Sequence, residues 1–261
     1  MSTLLGLPRH WEFPWGASQA AARELRSIAA SLLSEKAGDG LAQDIGNELA
    51  AAGELTGDSL LNETLMLMLA GSETSANAMA WTLFLLARYP EAMRDARTQI
   101  DSVASGLDLT PDILPELTQL RAVINEAMRL YPPVFMVPRQ AKEPFVFRHV
   151  EVQSGDTVAY MPWLMHRHRG LWHEPDVFCP GRFLSGSPRY QQDRRLRYMP
   201  FGFGMRVCAG SAFAMAEMAA ILGTVVRNLD FELDPSRTVA PIARLTVHPR
   251  GGLFLSIRRR A

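Results

Sequence analysis

The sequence predicts a mainly α-helical protein with small β-hairpins. Long segments carry apolar residues at helical spacing, whereas short alternating segments stand between glycine and proline residues. Helices are predicted over residues 17–36, 41–52, 59–88, 90–103, 117–130 and 209–227. Residues 134–140 are predicted to be extended, residues 145–152 and 157–160 to pair as a hairpin that turns at Ser154 and Gly155, and residues 231–233, 243–247 and 253–257 to form short strands.

The longest predicted helix, residues 59–88, has clear signals at both ends. Asp58 and Ser59 are residues that favour a helix N-cap, and Pro90 ends this helix and begins the next. The helix is apolar on nearly all sides, so we expect it to run through the protein core. Polar residues interrupt its apolar run, so a membrane span is not expected.

The composition is that of an ordinary globular protein. The chain has 261 residues, of which 48% are hydrophobic, so it can form a large core in one or two domains. Its 27 basic and 27 acidic residues give a formal net charge of zero, which argues against nucleic-acid binding by bulk charge. With two cysteines and no signal-peptide pattern in residues 1–10, a reducing, cytoplasmic location is expected. Nearly all the basic residues are arginine, an association that favours a bacterial source with a GC-rich genome.

Residues 201–210 read F-G-F-G-M-R-V-C-A-G and carry the strongest chemical signal in the chain. Cys208 lies where this loop enters a predicted helix, whose free N–H groups and positive dipole end favour a thiolate, a strong metal ligand. Gly202 and Gly204 allow tight turns, so a flat cofactor can approach the backbone. Phe201 can pack against such a cofactor, and Arg206 can pair with an anionic group on it. The alternative is a glycine-rich loop with one structural cysteine.

This segment resembles the haem-binding loop of cytochromes P450. The resemblance implies that Cys208 is the proximal ligand to the iron of haem b, and that thiolate ligation serves O–O bond cleavage. It also implies that the other motif residues bind the cofactor: Phe201, Gly202, Gly204, Arg206 and Gly210.

Residues 70–75, A-G-S-E-T-S, interrupt the middle of the helix predicted over residues 59–88. A glycine there costs about 1 kcal/mol relative to alanine, and a threonine hydroxyl can bend a helix, so a local opening is expected. The segment is similar to the oxygen-binding groove of the P450 central helix. This similarity implies that Ala70 and Gly71 shape the oxygen site and that Thr74 and Glu73 organise water and deliver protons. A helix with a chance glycine and a satisfied threonine is the alternative.

Glu126 and Arg129 share one helix face and can pair, although an exposed pair would contribute little stability. Followed by L-Y-P-P at residues 130–133, they resemble the P450 helix that ends below the haem. The resemblance implies that Arg182, in P-G-R-F at residues 180–183, completes a buried Glu–Arg–Arg cluster that braces the Cys208 loop.

The remaining polar residues give weaker signals. Arg139 matches a family position that contacts a haem propionate, with a solvated strand charge as the alternative. The histidines at residues 166, 168 and 173 have no partner pair at metal-site spacing, so His166 is interpreted as structural. Cys179 is expected to be a packed or exposed thiol. The basic loop 184–197 is expected to be a solvated face, or else a docking surface for an acidic electron donor.

The resemblance runs from about residue 8 to the end and lacks the N-terminal helices of the family. The expectation is therefore a single P450 domain over residues 1–261, N-terminally truncated. The resemblance implies a monooxygenase that takes electrons from a ferredoxin or flavoprotein and inserts one oxygen atom from O2 into an apolar substrate. Residues expected to line the substrate side are Leu69, Val134, Val137 and Leu245. The alternative is a truncated, inactive fragment that binds haem or a partner.

Overall fold

The computed structural model describes residues 15–35, 48–49, 53, 55–104, 108–190 and 197–260. The chain divides into two compact units, residues 1–70 and 71–261. Most of the helix predicted over residues 41–52 and part of the basic loop 184–197 lie outside the described residues. None of the described helices combines the length and apolarity needed to cross a bilayer. That all of residues 1–261 form a single domain stays a prediction.

The first unit contains α1 (Trp15–Glu35) and the beginning of α2 (Gly57–Arg88). Arg26 of α1 donates hydrogen bonds to Asn62 and Asp58 of α2, at 2.7 and 2.8 Å. These groups are exposed to solvent, so the ion pair among them contributes little to stability.

The second unit begins within α2, whose buried side chains all lie from Ser75 onward. The expectation that this helix runs through the core is therefore correct for its C-terminal half. In the first unit, by contrast, the apolar side chains of Met66, Leu67 and Leu69 on the same helix are exposed.

Two of the longer helices of the second unit each bury one stripe of side chains. In α3 (Pro90–Ala104) the buried residues recur every three or four positions, as an amphipathic helix requires. The same holds for α6 (Ser211–Asn228), whereas α4 (Thr118–Leu130) is buried on most sides. Both helices pack with α3 around the main core. Shorter helical segments are α5 (Pro162–Met165) and the 3₁₀ turns Leu114–Glu116, Pro180–Phe183 and Gly204–Arg206.

The strands of the described chain form two-stranded antiparallel ladders. They are β1 (Val137–Gln140) with β4 (Thr157–Tyr160), β2 (Phe145–Phe147) with β3 (Val150–Val152), β5 (Leu229–Leu233) with β8 (Leu255–Arg259), and β6 (Pro241–Ala243) with β7 (Val247–Pro249). The prediction of a mainly α-helical fold with small β-hairpins is confirmed.

The predicted pairing of residues 145–152 with 157–160 is wrong. Arg148 adopts a left-handed conformation with φ of 57°, so the chain reverses earlier than expected and β2 pairs with β3. The β4 strand pairs instead with β1, and Ala141 extends that ladder by hydrogen bonds with Asp156 and Gly155.

Adjacent residues on α6 provide a test of the helix orientation. Leu222 is 1% exposed and Ile221 is 44% exposed. We expect Leu222→Ala to lower the free energy of unfolding by about 2–5 kcal/mol, because it leaves a cavity in the core. Ile221→Ala, the matched control, should cost less than about 1 kcal/mol. Urea unfolding of both variants measures the difference, and equal losses would contradict the assigned buried face.

Candidate functional site

The loop before α6 turns on glycines and closes on itself. Gly202 and Gly204 have φ values of +82° and +69°, a region that residues with a Cβ rarely adopt. The Cys208 N–H donates to the Phe201 carbonyl at 2.8 Å, and the Val207 N–H donates to the Gly204 carbonyl at 3.1 Å. These bonds fix the backbone at the candidate thiol ligand.

Cys208 is exposed, and apolar side chains around it are exposed as well. Those side chains are Phe203, Met205, Val207 and Phe213. Among the described residues, no three His, Cys, Asp or Glu side chains come together as a metal site. One thiol is too few ligands for a bare transition-metal ion, which takes about four. The donor set fits a metal that is already held by a flat, apolar macrocycle, and haem is such a group.

The central helix α2 is continuous through Gly71 and Thr74, so the predicted local opening of the helix is wrong for this structure. A Cβ at Gly71 would meet no atom within 4 Å, which shows open space beside the glycine. Thr74 is half-buried, whereas Glu73 is exposed. Ala70, which directly precedes Gly71, is the last residue of the first unit.

Glu73 is held by a residue distant in sequence. The Thr246 hydroxyl donates to Glu73 Oε1 at 2.5 Å, and Asn77 Nδ2 donates to Thr246 Oγ1 at 2.9 Å. Sequence reasoning missed both partners. The spacing of four residues between Glu73 and Asn77 places them on one helix face and could have indicated Asn77. Nothing in the sequence pointed to Thr246.

The segment after α4 connects the helix α2 with the β6–β7 hairpin. Tyr131 stacks on Trp81 with ring centroids 3.9 Å apart. The Val247 N–H donates to the Pro133 carbonyl at 2.9 Å, and Trp81 Nε1 donates to the Val247 carbonyl at 3.1 Å. These contacts place Thr246 beside α2 and leave its neighbour Leu245 exposed.

The predicted Glu126, Arg129 and Arg182 residues contact one another in the core. Arg129 binds both carboxylate oxygens of Glu126 at 2.8 Å, and Arg182 Nε lies 3.3 Å from Oε1. Their side chains are 0%, 0% and 1% exposed, so bulk water does not screen the charges. The Cys179 N–H adds a further bond to Glu126 at 2.8 Å.

Both guanidinium groups use their remaining donors on backbone carbonyls. Arg129 donates to carbonyls in the segment 166–177, and Arg182 donates to others in the same segment. The accepting residues are His166, His173, Glu174, Pro175 and Val177. The cluster therefore fixes the path of this loop as well as neutralising its own charges.

Comparison with known proteins assigns the family. A family model described as cytochrome P450 matches residues 17–255. This chain belongs to the cytochrome P450 family. The P450 fold is also found in a crystal structure of a cytochrome P450 (CYP102L1), with a TM-score of 0.82 and 28% sequence identity over 95% of this chain and 58% of that chain.

Curated P450 relatives match over part of their length. Putative cytochrome P450 132 of Mycobacterium tuberculosis is 36% identical over 200 residues, covering 76% of this chain and 42% of that protein. Chloroplastic carotene epsilon-monooxygenase of Arabidopsis thaliana is 29% identical over 214 residues, covering 81% and 40%. The chain thus spans about two fifths of the length of these relatives.

Two arginines of this P450 chain have donors available for an anionic group. The Arg206 side chain is exposed and makes no hydrogen bond or ion pair with the residues that the structure describes. Arg139 is exposed, and within the described part of the chain its side chain donates only to the Pro138 carbonyl. Because Arg139 and Val158 are paired and alternate residues of a strand share a face, Arg139 lies on the same sheet face as Tyr160. The Tyr160 hydroxyl lies 3.3 Å from where a Cβ of Gly202 would be, so this sheet face is adjacent to the Cys208 loop.

His166 links the buried cluster to the start of the Cys208 loop. Its Nε2 accepts a hydrogen bond from the Met199 N–H at 3.0 Å, and its carbonyl accepts one from Arg129 at 2.8 Å. Burial, followed by the nearby charge of Arg129, lowers the pKa of His166 from 6.5 to about 3. The ring is therefore neutral at physiological pH, as its acceptor role requires. Tyr198 adds a hydrogen bond to Asn125 on α4.

The roles of the remaining predicted residues in cofactor binding and catalysis stay predictions at this point. The structure brings Phe201, Gly202, Gly204, Arg206, Cys208 and Gly210 together in one loop. It places Glu73 and Thr74 on α2. The hydrogen bonds of His166 to Met199 and Arg129 agree with the structural role expected for this residue.

The buried cluster predicts a large cost for removing its carboxylate. We expect Glu126→Gln to lower the free energy of unfolding by about 3–5 kcal/mol, because two buried guanidinium groups would lose their counter-charge. Glu232 pairs with Arg258 on the surface, with side chains 72% and 73% exposed, so Glu232→Gln should change stability by less than about 1 kcal/mol. Chemical unfolding of the two variants gives the comparison. A Glu126→Gln loss as small as that of the surface variant would contradict the assigned cluster.

The depressed pKa of His166 predicts acid sensitivity. Below pH 6.5 the unfolded chain binds a proton at this residue that the folded chain does not bind until about pH 3. Stability is therefore complete above pH 6.5 and falls toward pH 3 by up to about 1.4 kcal/mol per pH unit. Unfolding titrations between pH 7.5 and 5 should show a shallower fall for His166→Gln than for the unmodified chain. Identical slopes in the two proteins would refute the assignment.

Proposed function

We propose that this P450 chain binds haem b through Cys208 and inserts one oxygen atom from O2 into an apolar organic substrate. The single observation that carries the proposal is the exposed Cys208 thiol in a glycine-turned loop surrounded by unpacked apolar side chains. Family membership supports the same conclusion. The location proposed for this activity is the cytoplasm.

Residues of the Cys208 loop would hold the cofactor. The Cys208 thiolate would bind the iron, and Phe201 would pack against the porphyrin. Gly202, Gly204 and Gly210 would let the backbone approach it closely. The guanidinium groups of Arg206 and Arg139 would pair with the propionates, since charged donors favour carboxylate acceptors.

A thiolate-ligated haem supplies reductive activation of O2 and favours cleavage of the O–O bond. The reaction consumes two electrons and two protons, so that one oxygen atom enters the substrate and the other leaves as water. Gly71, with Ala70 before it, would leave room for O2 beside α2. Thr74 would hold a water molecule, and the Glu73 carboxylate would pass protons to it from solvent. A ferredoxin or flavoprotein would deliver the electrons.

Apolar side chains would contact the substrate. In the second unit, Val134 and Val137 are half-buried and Leu245 is exposed. Such a lining favours an apolar substrate because transfer of apolar surface from water is favourable. The name of one relative, a carotene epsilon-monooxygenase, supports monooxygenation as the reaction class.

A second candidate is a P450-like fragment that binds haem or a partner without turnover. The exposed Met66, Leu67 and Leu69 side chains favour it, because exposed apolar surface promotes association. Haem binding without substrate oxidation would support this candidate over the monooxygenase.

Carbon monoxide binding tests the thiolate ligand. After reduction, the unmodified protein should give the long-wavelength Soret band typical of sulfur-ligated haem iron. Cys208→Ala should abolish that band and haem incorporation, because it removes the proposed ligand. Cys179→Ala is the matched control and should retain both, since the Cys179 contact to Glu126 uses only its backbone N–H. A band typical of histidine-ligated iron, or an unchanged band in Cys208→Ala, would overturn the proposal.

A further inference from the structure

We propose that Thr246 is a positioning residue that holds the Glu73 carboxylate for proton transfer, and that Asn77 orients the Thr246 hydroxyl. The inference rests on the proposed monooxygenase function, in which Glu73 passes protons toward Thr74. Thr246 itself lies outside the motifs that indicate that function.

Hydrogen-bond geometry gives the Thr246 hydroxyl one direction. A hydroxyl has a single proton and two acceptor lone pairs. Asn77 Nδ2 donates to one of those lone pairs at 2.9 Å, so the proton is free to point at Glu73 Oε1, 2.5 Å away. A bond this short from a hydroxyl to a carboxylate is a charge-assisted hydrogen bond, stronger than a neutral one.

Burial of Thr246 limits the hydrogen-bond partners of its hydroxyl. Thr246 is 3% exposed, so its hydroxyl has little access to water and depends on Asn77 and Glu73 for hydrogen bonds. A buried hydroxyl without partners is unfavourable, and an apolar residue of the same shape would fit the space without that cost. The presence of threonine is therefore explained by its contact with Glu73.

Glu73 needs such a partner because it borders an open, basic cleft. The cleft has a volume of about 660 Å³, and its lining includes Glu73, Arg244, His248 and Arg250. A glutamate side chain loses rotamer freedom when it is fixed, and the arginines in the same cleft offer competing positions for its charge. The bond from Thr246 opposes both effects by holding the carboxylate against α2.

Hydrogen bonds fix the backbone around Thr246. The Arg244 N–H donates to the Thr246 carbonyl at 3.0 Å, and the Val247 N–H donates to the Pro133 carbonyl at 2.9 Å. Trp81 Nε1 of α2 donates to the Val247 carbonyl. The hydroxyl is thus fixed relative to the helix that carries Glu73, which is the requirement for a positioning group.

The first experiment observes Glu73 directly and requires no turnover. The ¹³Cδ resonance of Glu73 in labelled protein is assigned by its loss in Glu73→Gln. Thr246→Val should move this resonance toward that of a solvated glutamate, whereas Thr246→Ser should leave it in place. Thr224→Val is the matched control, because among the described residues the exposed Thr224 hydroxyl donates only to the Ala220 carbonyl of its own helix. An unchanged resonance in Thr246→Val would overturn the proposal.

The second experiment measures oxidation of styrene as an apolar probe, with a ferredoxin and its NADPH-dependent reductase. Thr246→Val should lower kcat about tenfold and change KM by less than about twofold. The expected loss is smaller than the roughly 10²–10⁴-fold rate increase that a positioned proton-transfer group supplies, because Glu73 itself is retained. Thr246→Ser should restore kcat. Haem content and the carbon monoxide spectrum should match those of the unmodified protein in both variants.

A double-mutant cycle separates positioning from structural damage. If Thr246 acts through Glu73, adding Thr246→Val to Glu73→Gln should lower kcat by less than about twofold further. An equal loss in both backgrounds would overturn the positioning role. If the carbon monoxide spectrum of the reduced, unmodified protein lacks the band of sulfur-ligated haem iron, the proposed function is wrong instead. The Glu73 resonance would still decide whether Thr246 holds the carboxylate.

Discussion

The buried ion pairs of Glu126 with Arg129 and Arg182 are the interactions on which the stability of the second unit depends most. The carboxylate balances two guanidinium groups that have no access to solvent, and either arginine alone would be costly in the core. Through Arg129 the cluster reaches the His166 carbonyl, and through the His166 ring it reaches the Met199 N–H. The backbone that leads into the Cys208 loop is therefore anchored to α4 by buried polar contacts rather than by hydrophobic packing alone.

On that anchored backbone, the Cys208 loop presents one soft donor within an apolar surface. Gly202 and Gly204 supply the turns, and a 3₁₀ turn at Gly204–Arg206 leads toward Cys208. The residues proposed for the oxygen side lie instead on the regular helix α2. There the polar groups are set by a contact from Thr246 in the β6–β7 hairpin. After α4, Tyr131 stacks on Trp81 of α2. Tyr160 of β4 lies beside Gly202 of the Cys208 loop.

Sequence signals within a few residues of one another were sufficient to predict the helices and the Cys208 loop. Helix periodicity, proline at a helix start and the glycine-rich loop all predicted elements within a few residues of their observed bounds. Pairing partners were not predictable in the same way. The left-handed Arg148 turn redirected β4 to β1, because strand pairing depends on where the chain reverses. Gly71 is helical in the structure although glycine disfavours the middle of a helix. The contact between Thr246 and Glu73 could not be predicted locally, because the two residues are 173 positions apart in sequence.

The guanidinium groups of Arg129 and Arg182 contact the 166–177 loop mainly through its carbonyl oxygens. Every amino acid carries such an oxygen, so these contacts recognise the route of the main chain and are indifferent to most of its side chains. His173, whose side chain is 70% exposed, could be exchanged without loss of the backbone bonds that hold the loop. The exposed positions of this loop can therefore change while its path is retained, which would make them permissive places for labels or altered surface charge.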